Sequence, residues 1–122
     1  MTTPRPVGPY SPIVRAGDWL VCSGQLGAVD GRLVDGGIEA QLGQALRNLA
    51  SLLASEGASL ADIVKTTVFL ADIGDFDAMN GAYLAAFSEV GDHRPARSAF
   101  AVSALPLGAA VEVEAWAFVG AR

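Results

Sequence analysis

The spacing of apolar residues along the chain changes from a strand-like pattern to a helical one and then alternates between the two. Near the start, β-type runs at about 12–15 and 19–24 flank Ala16-Gly17-Asp18, small residues typical of a hairpin turn. A second turn signal, Asp30-Gly31, has only modest strand-like runs on either side. The pattern therefore predicts an N-terminal β-hairpin followed by a weaker second one.

Two helices are predicted from apolar residues spaced three and four positions apart. The first runs from Ile38 to near Gly57, a glycine placed to adopt the left-handed conformation that often ends a helix. The second begins after Asp75, whose side chain could cap its first turn, and ends at Gly91. Its buried stripe is predicted to contain Phe76, Met79, Tyr83, Phe87 and Val90. Each helix thus has one apolar face that must be covered.

Three more strands are predicted, at 63–70 between the helices and at about 97–104 and 111–119 after them. A strand, a helix and a second strand in succession require a crossover connection. We therefore expect an α+β fold, a mixed sheet with both helices packed on one face. A turn through Leu105-Pro106-Leu107-Gly108 joins the last two strands, which are expected to form a hairpin.

The last strand has no simple polar face. Its alternation places one set of side chains, Val111, Val113, Ala115, Ala117 and Val119, opposite a second set, Glu112, Glu114, Trp116 and Phe118. If the helices cover the aliphatic set, Trp116 and Phe118 need another cover, and no predicted element remains to supply it. A second subunit is the expected cover. The two glutamates would then lie near the interface, either as solvated charges at its rim or as part of a ligand pocket.

Composition and charge narrow the class of protein. The 122 residues suit one domain spanning 1–122, because an independent core usually needs on the order of 100 residues. Hydrophobic residues make up 52% and charged residues 17%, which excludes disorder and favours self-association. A net charge of -5 offers no basic field to phosphates, so we expect a small-molecule partner and no nucleic acid.

The sequence also limits cofactors and location. One cysteine and one histidine are too few for a zinc or haem site, so no metal or cofactor is expected. The single thiol, Cys22, is interpreted as a small core residue. The N-terminal segment MTTPRPVGPYSP has no apolar run and resembles neither a secretory signal nor an anchor. We therefore expect a cytoplasmic protein with no membrane partner.

The candidate chemistry lies in the two terminal strands, since no nucleophile elbow, P-loop or metal-spaced cluster is present. A hairpin would bring Arg97 and a carboxylate, that of Glu112 or Glu114, onto one pocket wall. An ordinary surface ion pair is the alternative for Arg97. Glu112 and Glu114 lie two apart on one strand face, at about 6–7 Å, so each should oppose the other's ionisation. The pKa of Glu112 is therefore predicted to be raised.

Four segments in order carry a resemblance to a known family. The C-terminal part, Arg94-Pro95-Ala96-Arg97-Ser98, Leu105-Pro106 and Val111-Glu112-Val113-Glu114-Ala115, resembles the signature of the RidA (YjgF) family of enamine/imine deaminases. The other segments that resemble the family are Gly8-Pro9-Tyr10-Ser11, Ser23-Gly24-Gln25 and Asp62-Ile63-Val64-Lys65-Thr66-Thr67-Val68-Phe69. The resemblance therefore covers nearly the whole chain.

This resemblance implies a chorismate-mutase-like fold assembled as a homotrimer, with three ligand sites between subunits. In family members the arginine matching Arg97 pairs with the substrate carboxylate, a task suited to the two-pronged guanidinium. The glutamate matching Glu112 is implicated in placing the attacking water. The remaining substrate-binding positions are Tyr10, Ser23, Gly24 and Ala99, the last of which replaces a frequent family cysteine. Other readings stay open: Tyr10 covering an interface, Ser23 bonding locally, and Gly24 permitting a bend.

The implied activity is hydrolysis of short 2-imino acids, tautomers of enamines such as 2-aminoacrylate, to 2-keto acids and ammonia. A non-catalytic trimer that binds small carboxylates in the same cleft is the alternative. Endoribonuclease activity, sometimes attributed to the family, is disfavoured by the net charge of -5 and by the lack of a basic, aromatic-rich strip.

Overall fold

A five-stranded mixed sheet is the scaffold of the protein, seen in a computed structural model that describes residues 4–6 and 8–121. The strands are β1 (Ile13–Ala16), β2 (Trp19–Leu26), β3 (Ala28–Val29), β4 (Arg32–Leu33), β5 (Ile63–Leu70), β6 (Ala96–Ala101) and β7 (Val111–Phe118), and the helices are α1 (Gly37–Ala54) and α2 (Phe76–Ser88). The expectations for the N-terminal segment fall partly on residues 1–3 and 7, which lie outside the described residues.

The order of strands across the sheet is β1-β2-β7-β5-β6. β2 is antiparallel to β1 and to β7, and β7 is antiparallel to β5. β6 runs parallel to β5, because α2 connects the two strands as a crossover. Both helices pack on the same face, as predicted. The separate hairpin of β3 and β4 is the weaker second hairpin of the sequence.

The expectation that the last two strands form a hairpin is wrong, because β5 lies between β6 and β7. The connection 102–110 passes the end of β5, where the backbone N–H of Val102 donates to Leu70 O at 2.8 Å. On its return, the chain accepts a bond from Ala71 N–H at Ala110 O, at 3.0 Å. The turn is present, as a short helical turn at Pro106–Gly108, but it joins strands that are two positions apart.

The core fills the space between the helices and the sheet. The side chains of β7 that face it, Val111, Val113, Ala115 and Ala117, are fully buried, as alternation predicted. Cys22 is also buried there, which raises the pKa of its thiol to about 12 and keeps it neutral. Gly57 adopts the predicted left-handed conformation after α1, with φ of 78°.

Two local predictions about α2 fail. Asp75 stands at the N-cap but its side chain makes no capping bond; instead Asp72 accepts a bond from Gly74 N–H at 2.8 Å, one turn earlier. A short helical turn, Ile73–Asp75, separates the two positions and moves the capping carboxylate upstream. Val90 lies beyond the end of α2 and is exposed rather than part of the buried stripe.

The second face of the sheet is uncovered. Trp116 is 46% exposed there, and its ring lies edge-on to Trp19, with the ring centroids 6.4 Å apart. Trp19 makes a closer edge contact with Phe118, at 5.1 Å. Glu112 and Glu114 follow the same alternation and lie on this uncovered face. The predicted pair of faces is therefore present, one under the helices and one open.

Candidate functional site

The candidate residues of one chain fall into two groups on opposite faces of the sheet. Arg97 is paired in register with Thr66, and Thr66 with Ala115, both fully buried on the helix face. Glu112 is paired with Phe69, between buried neighbours whose side chains point the other way. The expectation that Arg97 and Glu112 share one pocket wall is therefore wrong within a single chain.

Glu112, Gly24 and Tyr10 lie together at a cavity of about 880 Å³. Its other walls come from residues 4–6, the β3–β4 hairpin, the side of α1 at Gln44 and Asn48, and the Pro106-Leu107 turn. Tyr10 is 43% exposed and lines the rim. The cavity opens beside the uncovered face of the sheet, where a small ligand can reach the carboxylate.

Gly24 is required by the close approach of the Glu112 side chain. A Cβ on residue 24 would lie 2.8 Å from Glu112 Cδ, and it would also overlap the carboxylate oxygen Oε2. The pairing of β2 with β7 shifts register between Cys22 and Gln25, so this bulge turns Gln25 inward and leaves Gly24 against Glu112. Close approach of the Glu112 side chain, rather than a bend alone, explains this glycine.

The hydroxyl of Ser23 is used locally. Its Oγ donates to Ser11 O at 2.7 Å, and its backbone N–H donates to Pro12 O at 2.9 Å. These bonds tie the segment that carries Tyr10 to the middle of β2. Among the residues the structure describes, Ser23 therefore supports the cavity wall but is not one of its lining residues.

Burial and charge both disfavour ionisation of Glu112. Half-burial of the carboxyl is the larger cause of its raised pKa, and the negative charge of Glu114 is the smaller one. The direction agrees with the sequence-based prediction, but the prediction rested on Glu114 alone. A carboxyl with a raised pKa is suited to accept and return protons closer to neutral pH.

The guanidinium of Arg97 packs against α2. It lies over the ring of Tyr83 at 4.9 Å and over the ring of Phe76 at 5.7 Å, measured from Cζ to the ring centroids. Its Nη1 donates to Met79 Sδ at 3.7 Å. No carboxylate of the described residues lies within 4 Å of it, so the surface ion pair considered for Arg97 is not formed there. Ala99 shares this face and packs against the core.

Three features of the site were missed by the sequence reasoning. The aromatic stripe of α2 was interpreted as ordinary core packing, although two of its rings contact the guanidinium of Arg97. The bulge in β2 had no signal in the sequence other than Gly24. Asn48 was not singled out, yet its Nδ2 donates to Leu26 O at 3.1 Å and to Ala28 O at 3.0 Å. Gln44 in turn donates to Asn48 Oδ1 at 2.9 Å, and this polar pair one turn apart was the available signal.

Two general findings concern the described ranges, 4–6 and 8–121. No three His, Cys, Asp or Glu side chains are grouped there in a way that could hold a metal ion. Neither of the two helices is both long and apolar enough to cross a membrane.

The fold and the site define a class of small α+β proteins with a carboxylate-bearing cavity beside an uncovered sheet face. The model of one family, described as endoribonuclease L-PSP, matches residues 1–119. The chain therefore belongs to this family, which is the RidA (YjgF) family that the sequence resembles.

Two known relatives and one solved structure support this family membership. A RutC family protein of Pyrococcus horikoshii is 42% identical over 94% of this chain and 90% of its own length. The human 2-iminobutanoate/2-iminopropanoate deaminase is 41% identical over 96% of this chain and 85% of its own. The crystal structure of Escherichia coli TdcF with bound serine has a TM-score of 0.91 at 32% identity, covering 97% of this chain and 94% of that one.

Proposed function

We propose that the protein hydrolyses short 2-imino acids, the tautomers of enamines such as 2-aminoacrylate, to 2-keto acids and ammonia. The observation that carries this proposal is the placement of two charged groups without partners of opposite charge among the described residues. Arg97 presents a cation on the edge strand β6, and Glu112 presents a half-buried carboxylate in a cavity. The human relative, named a 2-iminobutanoate/2-iminopropanoate deaminase, supports the choice of substrate.

The complete site is proposed to lie between subunits of a homotrimer. Arg97 and Glu112 occupy opposite faces of one sheet, so a ligand that touches both requires a second chain. The open aromatic face around Trp116 needs a cover, and a neighbouring subunit laid on it would bring its own edge strand close to Glu112. A closed ring of identical subunits then contains one such site per interface.

The chemistry follows from the two groups. The guanidinium of Arg97 binds the substrate carboxylate through two parallel hydrogen bonds and so fixes the position of C2. Glu112 takes a proton from a water molecule as the water oxygen bonds to C2 and the C=N electron pair moves to nitrogen. It passes this proton to the nitrogen, which gives a carbinolamine. Glu112 then takes the hydroxyl proton of the carbinolamine as the carbonyl forms and delivers it to the departing nitrogen, so the C–N bond breaks and ammonia leaves.

Glu112 favours catalysis over simple binding of a carboxylate. A site that only holds an anion gains nothing from a second carboxylate nearby, since the two charges repel. Hydrolysis needs such a group, and proton transfer of this kind typically contributes about 10²–10⁴-fold. RNA cleavage is not proposed, because a chain with a net charge of -5 repels a polyanion.

The test is an assay in which an amino-acid oxidase or dehydratase generates 2-iminobutyrate or 2-aminoacrylate in situ. Formation of the keto acid is followed above the uncatalysed background. We expect the wild-type protein to accelerate hydrolysis, Arg97→Ala to abolish the acceleration, and Arg97→Lys to keep a small fraction, because lysine lacks the planar fork. Light scattering should report the same assembly for all three proteins.

Two outcomes contradict the proposal in different ways. If the wild type binds 2-keto acids through Arg97 without accelerating hydrolysis, the protein is a carboxylate-binding module. If Arg97→Ala hydrolyses imines normally, Arg97 does not hold the substrate.

A further inference from the structure

The residues that support Arg97 form a defined platform on α2. Phe76, Met79 and Tyr83 are spaced three and four positions apart, so they lie on one side of the helix, above β6. We call these three residues the α2 platform. The guanidinium of Arg97 contacts all of them, and of the two rings that of Tyr83 is the nearer, at 4.9 Å.

The Tyr83 ring is itself fixed in place. Its hydroxyl lies 2.8 Å from Thr66 Oγ1, and Thr66 is the residue of β5 directly opposite Arg97. Tyr83 is nearly fully buried, and its ring also packs against Phe87 with centroids 4.7 Å apart. The sheet thus positions both the guanidinium and the ring that it contacts. Arg97 itself is on β6, and Thr66, its partner on β5, holds the Tyr83 hydroxyl.

This support stabilises a cation without neutralising it. Aromatic faces attract a guanidinium through their quadrupole and accept none of its in-plane N–H donors. The thioether of Met79 accepts one weak bond from Nη1. A carboxylate in the place of the rings would occupy the fork that a substrate carboxylate needs. The platform therefore holds the guanidinium in one orientation and leaves most of its donors available.

We infer that Tyr83, together with Phe76, is a positioning residue that sets the affinity of Arg97 for the carboxylate of the ligand. This inference rests on the proposed function, since it takes Arg97 as the carboxylate-binding group. The ligands it concerns are 2-imino acids and the 2-keto acids formed from them. Tyr83 acts through Arg97 and has no contact with the reacting carbon.

The experiment compares Tyr83→Leu, Tyr83→Phe and Leu20→Val, with calorimetric binding of pyruvate and imine hydrolysis as readouts. Tyr83→Leu is expected to weaken pyruvate binding and raise KM by about two- to thirtyfold, the range of cation–π contacts, with kcat unchanged. Tyr83→Phe keeps the ring and should bind pyruvate as the wild type does. Leu20→Val is the matched control: Leu20 is fully buried in the core on β2, with β7 and β5 between it and β6, so this variant should lower Tm but not pyruvate affinity.

The outcomes separate this inference from the proposed function. If the wild type neither binds pyruvate nor accelerates imine hydrolysis, the proposed function has failed. If the wild type binds pyruvate and Arg97→Ala does not, but Tyr83→Leu binds it as tightly as the wild type, the inference alone is overturned. Equal loss of affinity in Leu20→Val and Tyr83→Leu would also overturn it, because the effect would then be general loosening of the core. Should Tyr83→Leu fail to fold, Phe76→Leu removes the other, half-buried ring and is judged by the same criteria.

Discussion

At residue 112, a carboxyl group occupies a position where two influences oppose its charge. Partial burial beside Gly24 removes water from it, and the charge of Glu114 adds repulsion. Both raise its pKa above the ordinary value of a glutamate. In a mechanism where Glu112 must first accept a proton from water, this pKa determines where activity is lost on the acidic side.

The first prediction concerns the pH profile. Glu112 must be ionised to act as a base, so kcat/KM should fall as the pH drops through its raised pKa. Glu114→Gln removes the smaller cause of the shift, which lowers the pKa of Glu112 and moves the acid limb to lower pH. The measurement is kcat/KM from about pH 4 to 9, corrected for the uncatalysed reaction. This range roughly covers the pKa values to which enzymes shift a catalytic glutamate. An acid limb at the same pH in both proteins would exclude Glu112 as the titrating base.

A second prediction tests the approach of Glu112 to Gly24. The methyl group of Gly24→Ala needs the space of the carboxylate, so the carboxylate must move away from its present position. We expect kcat to fall by about tenfold or more, since small displacements of a catalytic group have effects of this size. Gly81→Ala is the matched control, because beyond its chain neighbours and its own helix backbone nothing lies within 4 Å of the added Cβ, and it should leave kcat unchanged. Equal kcat values for the two variants would contradict the account.

On the scale of elements, local sequence patterns predicted where helices and strands lie along the chain, but not how the strands pair. The strand 63–70 was predicted with the bounds it has, because its β-branched run is continuous, and the helical periods located α1 and α2. The prediction that β6 and β7 form a hairpin was wrong, because a turn signal does not show whether the two strands that it joins pair with each other. That arrangement depends on the crossover through α2, which places β6 on the far side of β5.

A third prediction concerns the bond between α1 and the end of β2. Asn48 donates to the carbonyls of Leu26 and Ala28, and thereby fixes the cavity wall to the helix. Asn48→Ala should lower the free energy of unfolding by about 1–3 kcal/mol, because it leaves partly buried carbonyls without a donor. Arg47→Ala, at an exposed position on the same helix, should change it by less than about 0.5 kcal/mol. Urea unfolding measures both; equal midpoints would show that the Asn48 bonds do not stabilise the wall.

For the whole molecule, the uncovered sheet face is the main constraint. Trp116 and Trp19 remain exposed on it although the chain has a complete core on the other side. Alternation in β7 was sufficient to predict this face from sequence. The sequence did not show that Arg97 and Glu112 lie on opposite faces of the sheet, with β5 between their strands. The residue identities of the site came from the resemblance to the family, whereas their division between two faces required the structure.

A fourth prediction follows from that face. Light scattering at micromolar concentration should report three chains for the wild type. Trp116→Lys places a charge in the middle of the face that a neighbour must cover, beside Lys65 on the adjacent strand, and should shift the assembly toward monomers. Leu84→Lys is the control, since Leu84 is exposed on α2, away from the sheet. A monomeric wild type would remove the intersubunit site from the account.

The most direct test of the central claim is complementation between two inactive variants. Arg97→Ala and Glu112→Gln are each expected to lack imine hydrolysis. When the two are mixed in equal amounts and allowed to exchange subunits, about one site in four should combine an intact Arg97 from one chain with an intact Glu112 from its neighbour. The account predicts recovery of about a quarter of wild-type activity, with mixed trimers visible by native mass spectrometry. Mixed trimers that stay inactive would contradict it, because each site would then use Arg97 and Glu112 of the same chain.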